Sequence, residues 1–307
     1  MQDVAGYLSE WVSLRSSGLS PRTVESYVSL IAHHIGPALA NVPADQLSPG
    51  MLQSLLASLC SAGHSRTAQL VYILIRAAYR DGVLSGYLPV NPTDRVLRPR
   101  HVPADPRYWT PEEIRAFVAA CPSMRWGHAW LLALLCGLRR GELAGLRWAD
   151  VDLPGRLLHI CNQRQRLEGA GVVDMPPKSR AGRREIPLPP LLCNTLAAEY
   201  RRQRAQQAAG AALPCYVVCC TDNRPIDPHR LNRALSADMA AARLRPINLH
   251  GLRHSMATAA VAAGVQIKVL QSLLGHAQYS TTADVYAHVL MGERIDAIRA
   301  LSLAVCT

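Results

Sequence analysis

The sequence predicts a mostly α-helical protein with a small antiparallel β-sheet in its second half, an α+β chain of two domains. Three observations predict this. Apolar residues recur at helical spacing behind capping serines through residues 1–85. The pattern changes to short β-like runs only between residues 157 and 188, and helical spacing returns from Pro189 onward. With 307 residues, 49% of them hydrophobic, the chain is long enough to bury two cores, which excludes a disordered polypeptide.

Taken in order, Tyr7, Leu8, Trp11 and Val12 form a first amphipathic stretch. Ser20-Pro21 precedes Val24, Tyr27, Val28 and Ile31; Ser48-Pro49 precedes Leu52, Leu55, Leu56 and Leu59; Ser65 precedes Val71, Leu74, Ile75 and Ala78. A serine hydroxyl accepts from an otherwise orphaned amide of the first turn, and proline at the first helical position has no N–H to leave unpaired. With stops expected near Gly36, Gly63 and Gly82, residues 1–88 read as a four-helix domain. Residues 89–106 carry five prolines and Arg95, Arg98 and Arg100, a basic tether in which regular structure is not expected.

The second domain, 107–307, opens at Thr110-Pro111-Glu112-Glu113, a capping box with proline at N1. A second, apolar helix ends in CGLRRGELAGLRW. Leu157–Ile160, Gly171–Met175 and Arg184–Leu188 are expected to form one antiparallel sheet. Helices are expected over Leu191–Gln206, from Asp227-Pro228, and over Leu249–Ala263, Val265–Leu274 and Thr281–Leu290, with Gly264 and Gly275 as stops. Trp109 and Trp148 are assigned to the core.

Thirty-one arginines and two lysines stand against 22 acidic residues, a net +11. The excess is uneven: residues 1–105 hold 8 basic and 7 acidic side chains, residues 106–307 hold 25 and 15. A polyanion is the partner this implies, because each neutralised phosphate releases counterions and arginine grips phosphate bidentately. The longest strongly apolar run, Ala129 to Leu138, is half of the roughly 20 residues a membrane helix needs, and MQDVAGYLSE has no signal-peptide pattern. A soluble cytoplasmic protein is expected. Nine cysteines in apolar contexts suit reduced thiols, and no CxxC pair suggests zinc.

Four segments carry chemistry. GLRRGEL places Arg139 just beyond an apolar helix end, with Glu142 one turn later. HGLRHSMATAAVAAG sets His250, Arg253 and His254 on neighbouring turns of a small, apolar helix, so cations emerge from a buried scaffold and require an anion. Histidines at this spacing also suit a metal, but a zinc-protease helix carries glutamate after the first histidine, where Gly251 stands. LLGHAQYSTTADVYAHV brings His276 after a helix-ending glycine and Tyr286 ten residues on. Lys178, one of only two lysines, falls in a polar turn between two predicted strands, PPKSRAGRREIPL.

In this order, GLRRGELAGLRWADVD, PPKSRAGRREIPL, HGLRH and LLGHAQYSTTADVYAHV resemble the tyrosine recombinase (phage integrase) family, over essentially the whole chain once the N-terminal helices are included. By that resemblance Arg139 is the first catalytic arginine, Lys178 the hairpin lysine, His250 and Arg253 the His-x-x-Arg pair, His276 the second histidine and Tyr286 the nucleophile. Arg140 and His254 match neighbouring, non-catalytic positions. The resemblance implies a two-domain, C-shaped clamp on double-stranded DNA, with a 3′-phosphotyrosyl intermediate, a departing 5′-hydroxyl and no cofactor, neither metal nor ATP. It further implies a homotetramer on two DNA sites, with accessory DNA-bending or directionality factors left open. Ile295, Ile298, Leu301 and Leu303 of the tail would anchor on a neighbouring protomer or dock in cis. Many phage-type relatives carry a further N-terminal arm-binding domain, so the chain is either a simple two-domain recombinase or a truncated one from which that domain is missing.

The chemistry supports each role. Negative charge spreads over the non-bridging oxygens in phosphoryl transfer, where guanidinium forks at Arg139 and Arg253 donate without reorganising. An unperturbed phenol has a pKa near ~10, so Tyr286 needs cations and a base, for which His250 is the candidate. A lysine lends a proton to a leaving alkoxide, whereas an arginine, with a pKa above about 12, effectively does not. Arg180, Arg183 and Arg184 read as phosphate contacts, as do the tether arginines. Glu142 either orients Arg139 or forms a helix-surface ion pair. A type IB-like topoisomerase using the same residues and a non-catalytic DNA-binding protein are the competing classes.

Overall fold

The structure, a computed structural model, describes residues 2–101, 108–177, 179–207, 215–220 and 224–275. The chain divides into two compact units, Met1–Ala104 and Asp105–Thr307.

The first unit is helical: α1 (Val4–Arg15), α2 (Pro21–Leu30), α3 (Pro49–Ser61) and α4 (Ser65–Leu84). Asp3, Ser20 and Ser48 accept from the amides of Gly6, Thr23 and Met51, so three starts are set by side chains that replace missing backbone partners. Ser65 caps nothing; it is the first residue of α4, and its hydroxyl meets His101 Nδ1 at 3.0 Å. The core gathers Leu8, Ile35, Leu52, Leu56, Leu74 and Ile75, each worth roughly 1.5–3 kcal/mol when taken from water.

Two of the expected stops fall within two residues of their glycines, at Ala38 and Leu84, but the glycine itself does not end the helix. At Gly36 the helix continues, passing from a π turn, Ile31–Ile35, into Gly36–Ala38. Gly82 lies inside α4, where a Cβ would collide with the Tyr7 hydroxyl and the Leu88 side chain, so it permits close approach rather than termination. The chain turns instead at Gly86, φ +74°.

Residues 89–101, expected as a tether, belong to the first unit. Pro92–Arg95 forms a 3₁₀ turn opened by Asn91, whose side chain accepts from the Thr93 amide, and the Leu97 amide donates to Gln53 Oε1. Pro92, Thr93 and Pro99 are buried. Prolines bar this segment from a helix, but side chains satisfy its backbone, so it packs. Arg95, Arg98 and Arg100 stay exposed.

The second unit is built around α6 (Gly127–Leu135), which follows α5 (Pro111–Ala120). Both arms of the Thr110 capping box form. Every residue from Gly127 to Leu134 is buried, as a helix apolar on all faces requires. Around α6 lie the short α7 (Arg140–Gly145), α8 (Pro190–Ala205), α9 (Pro228–Ala241), α10 (Leu249–Ala262) and α11 (Ile267–Leu274). Trp109 is buried, while Trp148 packs partly buried with its indole donating to Gln203 Oε1.

The expected single sheet is two. β1 (Val151–Asp152), β2 (Leu157–Ile160) and β5 (Arg184–Pro187) run antiparallel in the order β1-β2-β5, with Leu158 opposite Ile186. β4 (Gly171–Met175) pairs instead with β3 (Gln163–Leu167), a polar run whose buried position is Arg164 rather than an apolar residue. This β3–β4 hairpin is inserted in the connection between β2 and β5, which are themselves paired.

The hairpin is fastened at its base. Arg164 Nε donates to Asp174 Oδ1 at 2.7 Å, Arg147 Nη2 and the Tyr216 hydroxyl donate to Asp174 Oδ2 at 2.9 and 2.7 Å, and the Arg164 guanidinium lies 4.2 Å from the Tyr216 ring centroid. Gly141 and Gly145 of α7 present no side chain toward β3; a Cβ on Gly145 would stand 2.9 Å from the Arg164 amide nitrogen. Among the described residues, no helix is long and apolar enough to cross a membrane.

Candidate active site

The last turn of α6 delivers the chain to Gly137, in the left-handed region at φ +61°, where a Cβ would press on Leu274 and Met256 at 2.8 Å. Arg139 follows as the N-cap of α7. Its amide donates to Glu142 Oε2 at 2.9 Å and its Nη1 to Glu142 Oε1 at 2.8 Å, while the side chain remains 37% exposed.

Glu142 is only 3% exposed, which removes the reading of a helix-surface ion pair. On its other side Arg184 grips the same carboxylate with two forks, Nη1 to Oε1 at 3.0 Å and Nη2 to Oε2 at 2.9 Å. Burial alone would raise the Glu142 pKa. The hydrogen bonds and charge of Arg184, then those of Arg139, outweigh it and hold the group at about 2, so the carboxylate stays ionised.

A second segment enters from α10, whose N-cap Asn248 accepts from the Gly251 amide at 2.8 Å. Arg253 is 2% exposed, with Nη1 donating to Gly137 O at 2.5 Å and Nη2 to Leu274 O at 2.6 Å. The His250 and His254 rings meet edge to face at 4.4 Å. Packing on the ring of the otherwise exposed His250 lowers its pKa, and the charges of Arg253 and Arg139 lower it further. Burial, His250 and Arg253 bring His254 down to about 4.

A third segment completes the arrangement. α11 ends at Gly275, φ +63°, and its last carbonyls receive one guanidinium each: Leu273 O from Arg184 Nε at 2.6 Å, Leu274 O from Arg253, and Gly275 O from Arg139 Nη2 at 2.9 Å. The negative end of a helix dipole is a natural seat for cations. Arg139 and Arg253, far apart in sequence, thereby meet at the point where the chain leads into His276.

Of the expected site residues, the structure brings together Arg139, Glu142, His250 and Arg253. Lys178, His276 and Tyr286 lie outside the described residues. Arg180 and Arg183 are exposed. Arg184, expected as an exposed phosphate contact, is placed differently: its side chain is 5% exposed and pairs with the Glu142 carboxylate and with the Leu273 and Gly182 carbonyls. The signal was present, because Arg184 and Ile186 share the inward face of β5. Among the described residues, no group of three or more His, Cys, Asp or Glu side chains is placed to hold a metal ion.

Residues 107–293 match the phage integrase family. A XerC-like tyrosine recombinase of Caldanaerobacter subterraneus subsp. tengcongensis is 26% identical over 258 residues, an alignment spanning 78% of this chain and 66% of that protein. The fold is shared with the Tn1549 transposon integrase solved in complex with transposon right end DNA, at TM-score 0.81 and 20% identity, covering all of both chains. It is shared also with the lambda integrase tetramer bound to a Holliday junction, at TM-score 0.70 and 18% identity, covering 92% of this chain and 77% of that one. The family match takes in more than half of the chain and contains the whole constellation around the end of α11, so this protein belongs to the phage integrase family, the tyrosine-type site-specific recombinases.

Proposed function

We propose that this recombinase cuts and rejoins double-stranded DNA at specific sites through a 3′-phosphotyrosyl bond to Tyr286, without metal or ATP. The observation that carries the reading is the convergence of Arg139 and Arg253 on the carbonyl end of α11, immediately before His276. Both guanidiniums meet carbonyl oxygens there and Arg139 keeps 37% of its side chain exposed, which supports a positively charged seat for a phosphodiester, whose single negative charge is shared by its two non-bridging oxygens.

In the proposed step the Tyr286 oxygen bonds to phosphorus as the bond to the 5′-oxygen breaks. The phenol proton passes to His250, and Lys178 gives a proton to the departing oxygen, so charge and atoms balance. His276 donates to the phosphate. Glu142 acts through Arg139, holding its fork in place. The exposed Arg180 and Arg183, with Arg95, Arg98 and Arg100, bind flanking phosphates of the duplex. Four protomers on two sites are the assembly proposed for exchange, with the tail from Ile295 to Leu303 docking in cis or in trans.

A denaturing gel on a nicked duplex tests the reading: the protein is expected to trap a covalent DNA adduct in excess EDTA as readily as without it. Adduct formation that vanishes in chelator and returns with a divalent metal would overturn the metal-free step. On a supercoiled plasmid with two sites, exchanged products are expected rather than relaxation alone.

The depressed His250 pKa adds a pH dependence. A neutral imidazole is the proton acceptor, and a lowered pKa keeps it neutral further into acid, so the acid limb of the second-order cleavage rate is expected below about 6.5, the ordinary imidazole value. His250→Gln should be slow and lack that limb. A limb that persists in the variant would assign the proton to another group.

A further inference from the structure

We infer that Arg184 is a positioning residue for strand cleavage: it fastens the end of α11, from which His276 and Tyr286 follow, to Glu142 and through it to Arg139. The inference rests on the proposed roles of Arg139 and Tyr286.

Four hydrogen bonds define the side chain. Nε donates to Leu273 O at 2.6 Å, Nη2 to Glu142 Oε2 at 2.9 Å, and Nη1 to both Glu142 Oε1 at 3.0 Å and Gly182 O at 3.2 Å. They reach three separate segments: the start of α7 beside Arg139, the turn Arg180–Gly182 just after Lys178, and the end of α11 just before His276. Each of these segments adjoins a group proposed to act on the phosphate.

The contacts close a circuit. Glu142 holds Arg139 through Nη1, Arg139 holds Gly275 O through Nη2, and Gly275 lies two residues beyond Leu273, which Arg184 holds. The position of Gly275 relative to Arg139 is therefore determined from both ends. Gly275 is also walled in by this junction, since a Cβ on it would stand 2.7 Å from Ala181 O and 3.1 Å from Arg184 Nη1. The Arg184 charge is met by the Glu142 carboxylate through two hydrogen bonds, so it serves the protein's own geometry. Lysine cannot substitute: a single ammonium does not span a carboxylate with two parallel bonds and a carbonyl with a third in a fixed plane.

The test compares Arg184→Lys with the full-length parent. DNA affinity should be unchanged, while single-turnover cleavage falls about 100-fold, the cost of a displacement near 1 Å at a reacting centre. The Arg184→Lys, Glu142→Gln double variant should be no slower than the slower single variant, because both break one circuit. In the DNA-free protein, amide exchange should quicken across Ile267–Gly275 and stay unchanged across α6. Gly275→Ala, which crowds the same junction without removing a charge, serves if Arg184→Lys fails to fold, and should show the same local exchange and the same cleavage loss. Cleavage at the parental rate, or unaltered exchange in α11, would overturn the inference, and exchange that quickens equally in α6 would reduce it to general destabilisation. If the parent forms no Tyr286 adduct, the proposed function fails, but the exchange measurement still decides whether Arg184 fastens α11.

Discussion

Tyr286→Phe is expected to bind its DNA as the parent does and to form no covalent complex. The change removes one oxygen, the atom that would bond to phosphorus, and leaves Arg139, Arg253 and Glu142 untouched. Lowered cleavage would be a weak criterion, since loss of any phosphate ligand slows the step. Absolute loss of the adduct singles out the nucleophile. Tyr279→Phe, in the same segment, is the control and should trap DNA normally. An adduct that survives removal of the Tyr286 hydroxyl would mean that another side chain attacks phosphorus.

Lys178→Arg is the second large effect expected. Charge and approximate reach are kept, yet cleavage should fall by about 10²–10⁴-fold, the range of general-acid contributions, with DNA affinity little changed. A substrate whose bridging 5′-oxygen is replaced by sulfur leaves as a thiolate and needs little protonation, so it should restore the variant to near the parental rate. If the variant stays slow on sulfur while the parent cleaves it readily, Lys178 positions the phosphate, and the proton must come from His250 or His276.

Local signals in the sequence were the ones that could be read directly. Ser20, Ser48 and Thr110 cap helices because a cap and its amide lie within one turn, so neighbouring residues contain the whole interaction. The end of the helix near Gly82 was legible but the glycine's own role was not, because one residue type serves two purposes: it ends helices and it admits close neighbours, here Tyr7, 75 positions away in sequence. β3 was hidden because its inward residue, Arg164, is charged, and the partners that let it be buried, the Asp174 carboxylate and the Tyr216 hydroxyl that accepts from its Nη2, are not adjacent in sequence. Arg184 was misplaced for the same reason. In a run of arginines it resembles a surface cation, and the carboxylate that draws it inward lies 42 residues earlier. Arg139 and Arg253 were legible as chemistry because their segments pair cations with an apolar scaffold, whereas Lys178, His276 and Tyr286 owed their roles mainly to the family resemblance.

The close seating of β3 on α7 has a mechanical consequence. Packed elements usually slide a little because a layer of side chains flexes between them, but Gly141 and Gly145 leave backbone against backbone. The hairpin and the helix bearing Glu142 are therefore expected to turn together, held at the root by Asp174. The exposed tip at Glu168, Gly169 and Ala170 would then be the far end of a lever whose short arm is the turn at Arg139. A spectroscopic label at that tip would magnify small rotations of the turn, giving a view of the catalytic arginine from a place where nothing need touch the phosphate.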